Sequence, residues 1–379
     1  MILCSALLLS LALPTADTTR GRVLFEIGDG ATIEHGFGKV SGFTFDAAGR
    51  LYVSDFQDAM IAVFGTDGRR LALIGRKGDG PGEFRAPTGP VFGPDGALYV
   101  RNHSFLVRFG ASQRGEIASR FDRNLSGPSM AHWTSFSATH FDASGRYYFP
   151  LEWMDGNTSA PVRFFARYTT GGQLVDSLPI PSFPGEPSST ASVRTGPRGG
   201  RMIAGLNAAP FEPRPVWALT PTGTVISGDG TTPQLQETDR TKRVTRTIAI
   251  PPDQRAIPAR ERAESLAALR LRIDSLGGPL SEVRGTSLAV RTQRLPERYP
   301  SYTGLLIVNG ELWVRRWARA GTTHFDRLRL DGTPLGALQL PVECANAPAP
   351  VVSPERIVCL VVDAETGAEQ VTVLARPRG

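Results

Sequence analysis

Residues 43–53 read FTFDAAGRLYV, and residues 90–100 read PVFGPDGALYV. Their turn glycines, Gly49 and Gly96, lie 47 residues apart. Phe37 and Phe84, in the Gly-rich approaches GFG (36–38) and GPGEF (80–84), keep the same offset. A third copy, HFDASGRYYF at 140–149, turns at Gly145. Short strands and Xaa-Gly turns recurring at this period are the pattern of a β-propeller blade.

Working outward, Val40 to Phe45, Leu51 to Val53, Ala62 to Phe64 and Leu71 to Ile74 form four short strands separated by turns such as Asp67-Gly68. That is an antiparallel meander, which buries both faces only when several stack around an axis. Weaker copies follow at 131–181, 210–250 and 302–341, and residues 347–376 supply three strands. Val23 to Gly30 resembles Leu71 to Gly80, the fourth strand and exit loop of the first copy. The N-terminal strand, residues 22–28, is therefore expected to complete the last blade and remove an open edge. Counted with 36–75 and 84–122, this gives an all-β, six-bladed propeller of four-stranded blades as a single domain over residues 17–379.

The stretch IGRKGDGPGEF at 74–84, leading through Pro87 into PDGALYV, resembles the NHL repeat, and more broadly the bacterial six-bladed propellers built from it. NHL copies carry Asp then Asn after the second strand. Asp55 fits the first and Asn102 stands in the aligned place one blade on, whereas the later copies have Leu151, Gly228 and Arg316 there. The resemblance implies a six-bladed ring. It leaves activity open, because that family holds enzymes and binding modules alike.

Net charge is +6, yet the only lysines are Lys39, Lys77 and Lys242. The basic run Arg240 to Arg246 reads as a solvated outer strand rather than a phosphate-binding stripe, so no nucleic-acid partner is expected. Residues 1–16, MILCSALLLSLALPTA, are too short to span a bilayer, which takes about 20 apolar residues. They resemble a secretory signal, although no basic residue precedes the apolar core. Export to the periplasm or beyond follows as an expectation. It leaves Cys344 and Cys359 in the last copy, able to pair in an oxidising compartment or to pack as small hydrophobes.

The repeat stops at about 253–277, where Leu266, Leu269, Ile273 and Leu276 recur at helical spacing between Pro258 and Gly277. The spacing predicts one amphipathic helix inserted between the fourth and fifth blades. In a propeller, loops from fourth to next first strands share a face with loops from second to third strands. That face collects Asp55, Gln57, Asn102, His103, Trp153, Asp229, Arg315, Arg316 and Trp317 as candidate ligand contacts. Asp55 and Asn102 read equally well as loop-bonding residues, and the tryptophans as packing. No histidine repeats in register, and none has metal-ligand spacing. Propeller geometry allows His35, His103 and His132 at one end of the ring, although isolated surface or capping histidines explain them more simply. No cofactor is expected on this reading, with calcium or zinc as the alternative. The sequence thus points to an exported, monomeric, non-catalytic scaffold binding a protein, peptide or glycan. The alternative is a metal-dependent hydrolase or lyase at the channel mouth.

Overall fold

The turn at Asp46 explains why the opening phrase repeats. Asp46 Oδ1 accepts the backbone N–H groups of Ala48 and Arg50, both at 2.9 Å, and Gly49 supplies the left-handed residue at φ 77°. The second carboxylate oxygen takes Arg50 Nε at 2.6 Å and the Tyr52 hydroxyl at 3.3 Å. Asp142, Gly145 and Tyr148 rebuild the turn in the third copy, with the tyrosine hydroxyl 3.0 Å from the carboxylate. In the second copy Asp95 takes the Tyr99 hydroxyl at 2.8 Å. Each aspartate both shapes a hairpin and satisfies the one polar atom of a buried tyrosine.

This computed structural model describes residues 18–28, 36–103, 105–110, 116–126, 139–153, 162–181, 190–195, 200–205, 210–275, 295–318, 320–363 and 365–377. They form six antiparallel blades in a ring, and the chain is a six-bladed β-propeller. Blade 1 comprises Val40–Phe45, Leu51–Asp55, Met60–Phe64 and Arg70–Ile74, from the axis outward. Blades 2 to 5 begin at the axis with Pro87–Phe92, His140–Phe141, Val216–Leu219 and Gly304–Val308. Blade 6 has Val351–Val352, Arg356–Val362 and Glu369–Ala375.

The outer strand of blade 6 is Arg22–Ile27, which pairs with Glu369–Ala375 in the register Val23 to Leu374 and Ile27 to Val371. Immediately before it, Thr18–Arg20 pairs in parallel with Pro334–Leu340 of blade 5. Gly21 joins the two pieces where a Cβ would meet Leu340 at 2.7 Å. One N-terminal segment thereby ties the last two blades together.

Six apolar clusters hold the ring, one between each pair of neighbouring blades. Strand alternation makes this possible. Leu51 and Val53 pack toward blade 6 with Val358 and Val371, while Tyr52 between them packs toward blade 2 with Leu98 and Val100. The Gly-rich approaches serve the same seams, Phe37 meeting Phe64 at 6.3 Å and Phe84 meeting Phe109 at 5.9 Å.

Three features differ from the sequence reading. A separate hairpin, Thr190–Thr195 with Gly200–Gly205, follows blade 3 in the chain. The basic run at 240–246 straddles a turn instead of lying along one strand, and Arg246 pairs with Glu237 at 2.7 Å. Helix α1, Ala259–Ser275, follows blade 4 in the chain and is more polar than expected. Leu266 and Leu269 are half-buried, whereas Leu271 is 71% exposed.

Cys344 and Cys359 form a disulfide inside the seam between blades 5 and 6. Its loop spans 15 residues, for which chain-entropy arguments give about 3 kcal/mol. Truncating the chain through residue 28 should expose the edge of Glu369–Ala375. It should lower the thermal midpoint and raise light scattering, and an unchanged melt would contradict closure by this strand.

Candidate functional site in the axial channel

Most residues expected to bind a ligand on the helix-bearing face have their polar atoms already engaged. Asp55, buried at the end of its strand, accepts the N–H groups of Gly38 at 2.7 Å, Lys39 at 3.1 Å, Gln57 at 2.9 Å and Asp58 at 3.0 Å. Asn102 accepts those of Arg85 at 3.0 Å and Ala86 at 3.1 Å, and donates to the Glu83 carbonyl at 3.3 Å. Both therefore fasten the loop entering a blade to the loop leaving its second strand. Gln57 is exposed, its stem lying against Gly38. His103 is exposed and left-handed at φ 59°. Asp229 folds its own loop, accepting the Thr231 N–H at 2.9 Å and hydroxyl at 2.8 Å. Trp153 pairs through its backbone with Val162, and its side chain lies outside the described residues.

The two arginines are clamps. Arg315 donates to the carbonyls of Cys344 and Ala345 and to Asn346 Oδ1, and burial pushes its pKa down to about 10. Arg316, on the opposite strand face, donates to the carbonyls of Ser301 and Pro251 and pairs with Asp326 at 2.6 Å. It thus grips both ends of the excursion that carries α1. Trp317 stacks on Tyr299 at 5.8 Å and meets Phe211 at 4.8 Å. The Tyr299 hydroxyl donates to Glu261 of α1 at 2.6 Å, and burial raises its pKa to about 12. Arg315 thus faces blade 6, while Arg316 and Trp317 secure the excursion that carries α1.

Unengaged polar groups lie elsewhere. The innermost strands of all six blades enclose a cavity of about 540 Å³ on the axis. Thr44, Val91, His140, Ala218, Leu306 and Val351 contribute to its wall, one from each blade. The hairpin turns at Asp46, Gly93, Asp142 and Thr220 share the same backbone bonds, so the residues two before them, Thr44, Val91, His140 and Ala218, are equivalent. His140 thus stands alone in that layer as a titratable group. Among the described residues the inner strand of blade 3 is His140–Phe141, and Pro150 and Phe165 of its next strands also line the cavity.

The His140 ring meets Phe165 edge-on at 5.8 Å, and desolvation pushes its pKa down to about 4. A neutral imidazole offers one N–H donor and one acceptor nitrogen. Its neighbour Thr139 is 1% exposed, and the Thr139 Oγ1 has no hydrogen-bond partner among the described residues. Leaving a buried hydroxyl unpaired costs roughly 1–3 kcal/mol, so this atom is primed for a partner. The Thr139 hydroxyl oxygen is itself enclosed, so among these two neighbours the imidazole is the polar group at the cavity wall. Among the described residues no group of three or more His, Cys, Asp or Glu could hold a metal. Of the histidines expected to form such a set, His35 and His132 lie outside the described residues.

No family model and no curated protein matches the sequence, so the likeness to the NHL repeat stays a resemblance. Solved structures do match. Virginiamycin B lyase from Staphylococcus aureus is 12% identical over 89% of this chain and 95% of its own, with a TM-score of 0.42. A gluconolactonase from Xanthomonas campestris is 12% identical over 96% and 97%, with 0.42. A Bacteroides fragilis protein described as exported is 11% identical over 95% and 94%, with 0.48. At this distance they show the fold alone. The expected non-catalytic scaffold for a protein, peptide or glycan is nevertheless corrected here. Rings of this kind are named as a lyase and a gluconolactonase, so the architecture is no sign of a non-catalytic protein. No helix among the described residues is long and apolar enough to cross a membrane.

Two outcomes follow from the geometry. A histidine whose pKa is depressed on folding contributes stability that is full above about 6.5 and is lost as pH falls toward about 4. The shift corresponds to at most about 3 kcal/mol. The stability difference between the natural chain and His140→Asn, from urea unfolding at a series of pH values, should drift by up to that amount between pH 7 and 4. A constant difference would place His140 in water. Arg316→Met should cost about 3 kcal/mol by leaving Asp326 and two carbonyls unpaired, and a loss below about 1 kcal/mol would contradict the clamp.

Proposed function

We propose that the chain is a propeller enzyme of the hydrolase or lyase type, acting on a small molecule held in the axial channel. His140 is its proton-transfer residue. The observation that carries this reading is a neutral imidazole in the wall of a cavity of about 540 Å³ that draws on all six blades. That volume lies within the roughly 300–1,000 Å³ usual for small-molecule sites.

The chemistry follows from the groups present. In hydrolysis, the acceptor nitrogen of His140 takes a proton from water as the water oxygen bonds to a carbonyl carbon. The imidazolium then returns that proton to the leaving oxygen as its bond to carbon breaks. In elimination, the same nitrogen takes a carbon-bound proton while the C–O bond on the next carbon breaks and C=C forms, and the proton passes to the leaving oxygen. Burial lowers the proton affinity of the imidazole, which favours giving the proton back. No step is assigned to a metal.

The NHL-like ancestry of blades 1 and 2 is supported by Asp55 and Asn102, which do the same fastening work in successive copies. Export is supported by the apolar run at 1–16 and by the Cys344–Cys359 bridge, since disulfides persist in oxidising compartments. N-terminal sequencing of the protein from its host should find residues 1–16 removed. An intact Met1 in a cytosolic fraction would contradict export.

The test of the catalytic reading is turnover of nitrophenyl esters, glucono-1,5-lactone and quinupristin by the purified chain. The last two are chosen from the names of the lactonase and of a lyase complex. His140→Gln should lower kcat on the substrate turned over by about 10²–10⁴-fold, the range for loss of a general acid–base. Turnover unchanged in His140→Gln would overturn the reading.

A further inference from the structure

We infer that the channel selects an uncharged molecule with an aromatic body and a carbonyl group, and that Trp217 is the residue that seats its ring. This rests on the reading of the channel as the reaction site and deepens it to a substrate class.

The first observation is charge. The cavity wall draws on all six blades, and no lining residue among those described is Asp, Glu, Lys or Arg. An anion or cation entering it sheds hydration and meets no partner charge in the wall, which is costly at low dielectric. The Arg315 guanidinium, which bonds a lining residue, is already engaged. Arg315 donates to the carbonyls of Cys344 and Ala345 and to the side-chain oxygen of Asn346, a lining residue, so it braces the wall from behind.

The second observation is Trp217. It lines the cavity and is half-buried. The guanidinium of Arg163, which is not a lining residue, covers its ring at 5.2 Å from the centroid. With one side of the indole held, the rest of it is a fixed aromatic surface toward the channel. Aromatic rings attract one another through offset or edge-on packing beyond the area they bury. Phe43, Phe165, Pro150 and Pro90 extend the apolar wall around it. The His140 imidazole supplies a polar contact, and a neutral carbonyl accepts from its N–H. An ester, lactone or amide on an aromatic frame satisfies every unengaged feature of the wall.

The test is calorimetric titration of the full chain at pH 7.5 with coumarin, an uncharged aromatic lactone, and with coumarin-3-carboxylate, its anionic counterpart. Coumarin should bind at least tenfold more tightly. Trp217→Leu should weaken coumarin at least tenfold, with the melt recorded to confirm folding, and Trp217→Phe should lie between if the leucine variant is unstable. Equal affinities, tighter binding of the carboxylate, or no heat from either ligand would overturn the inference. His140→Gln separates the two claims. If it keeps turnover while the neutral preference persists, the catalytic assignment fails and the substrate class stands. If it loses turnover while both ligands bind alike, the reverse holds.

Discussion

Everything in this molecule depends on seams between blades. A single four-stranded sheet has two apolar faces and no means of burying either. Closing the ring gives each blade a neighbour on both sides, and the six clusters are the result. The seam between blades 5 and 6 is the most reinforced. It contains the disulfide, the parallel Thr18–Arg20 strand lies on the outer edge of one blade, and Arg22–Ile27 completes the other. A ring built from one chain must be locked where its ends meet, and the locking devices gather there.

Ring closure also creates the channel. Because inner strands run side by side around the axis, one residue per blade falls in each layer, and any single departure from the apolar pattern stands out in space. His140 is such a departure. Equivalent positions carry Thr44, Val91 and Ala218, so the imidazole faces a wall that offers it no counter-charge. Its depressed pKa is the direct consequence of that enclosure.

The ring was legible in the repeat because the repeat is made of turns. Asp46, Gly49 and Tyr52 recur since a hairpin needs an acceptor, a left-handed residue and a satisfied tyrosine. A side chain that shapes a loop and one that binds a ligand are less easily told apart in a sequence. Asp55 and Asn102 are conspicuous in the sequence, but a carboxylate that binds a ligand and one that binds four backbone N–H groups look alike there. Arg315 and Arg316 are adjacent letters on opposite faces of a strand, with different partners. His140 was hidden by its company, since it opens the third copy of a phrase that reads as structural. Aligning the copies by column sets His140 against Thr44, Val91 and Ala218. The hairpin at 190–205 matches no copy, so the repeat gave no handle on it.

The account turns on where a ligand sits. The most direct measurement is photolabelling of the full chain with an uncharged diazirine derivative of coumarin, followed by peptide mapping. Labelling should fall on inner-strand peptides that contain Thr139, His140, Trp217 and the 304–308 segment, and excess coumarin should suppress it. Labels confined to peptides around Tyr299, Trp317 and helix α1 would move the site to the outer face and contradict the channel.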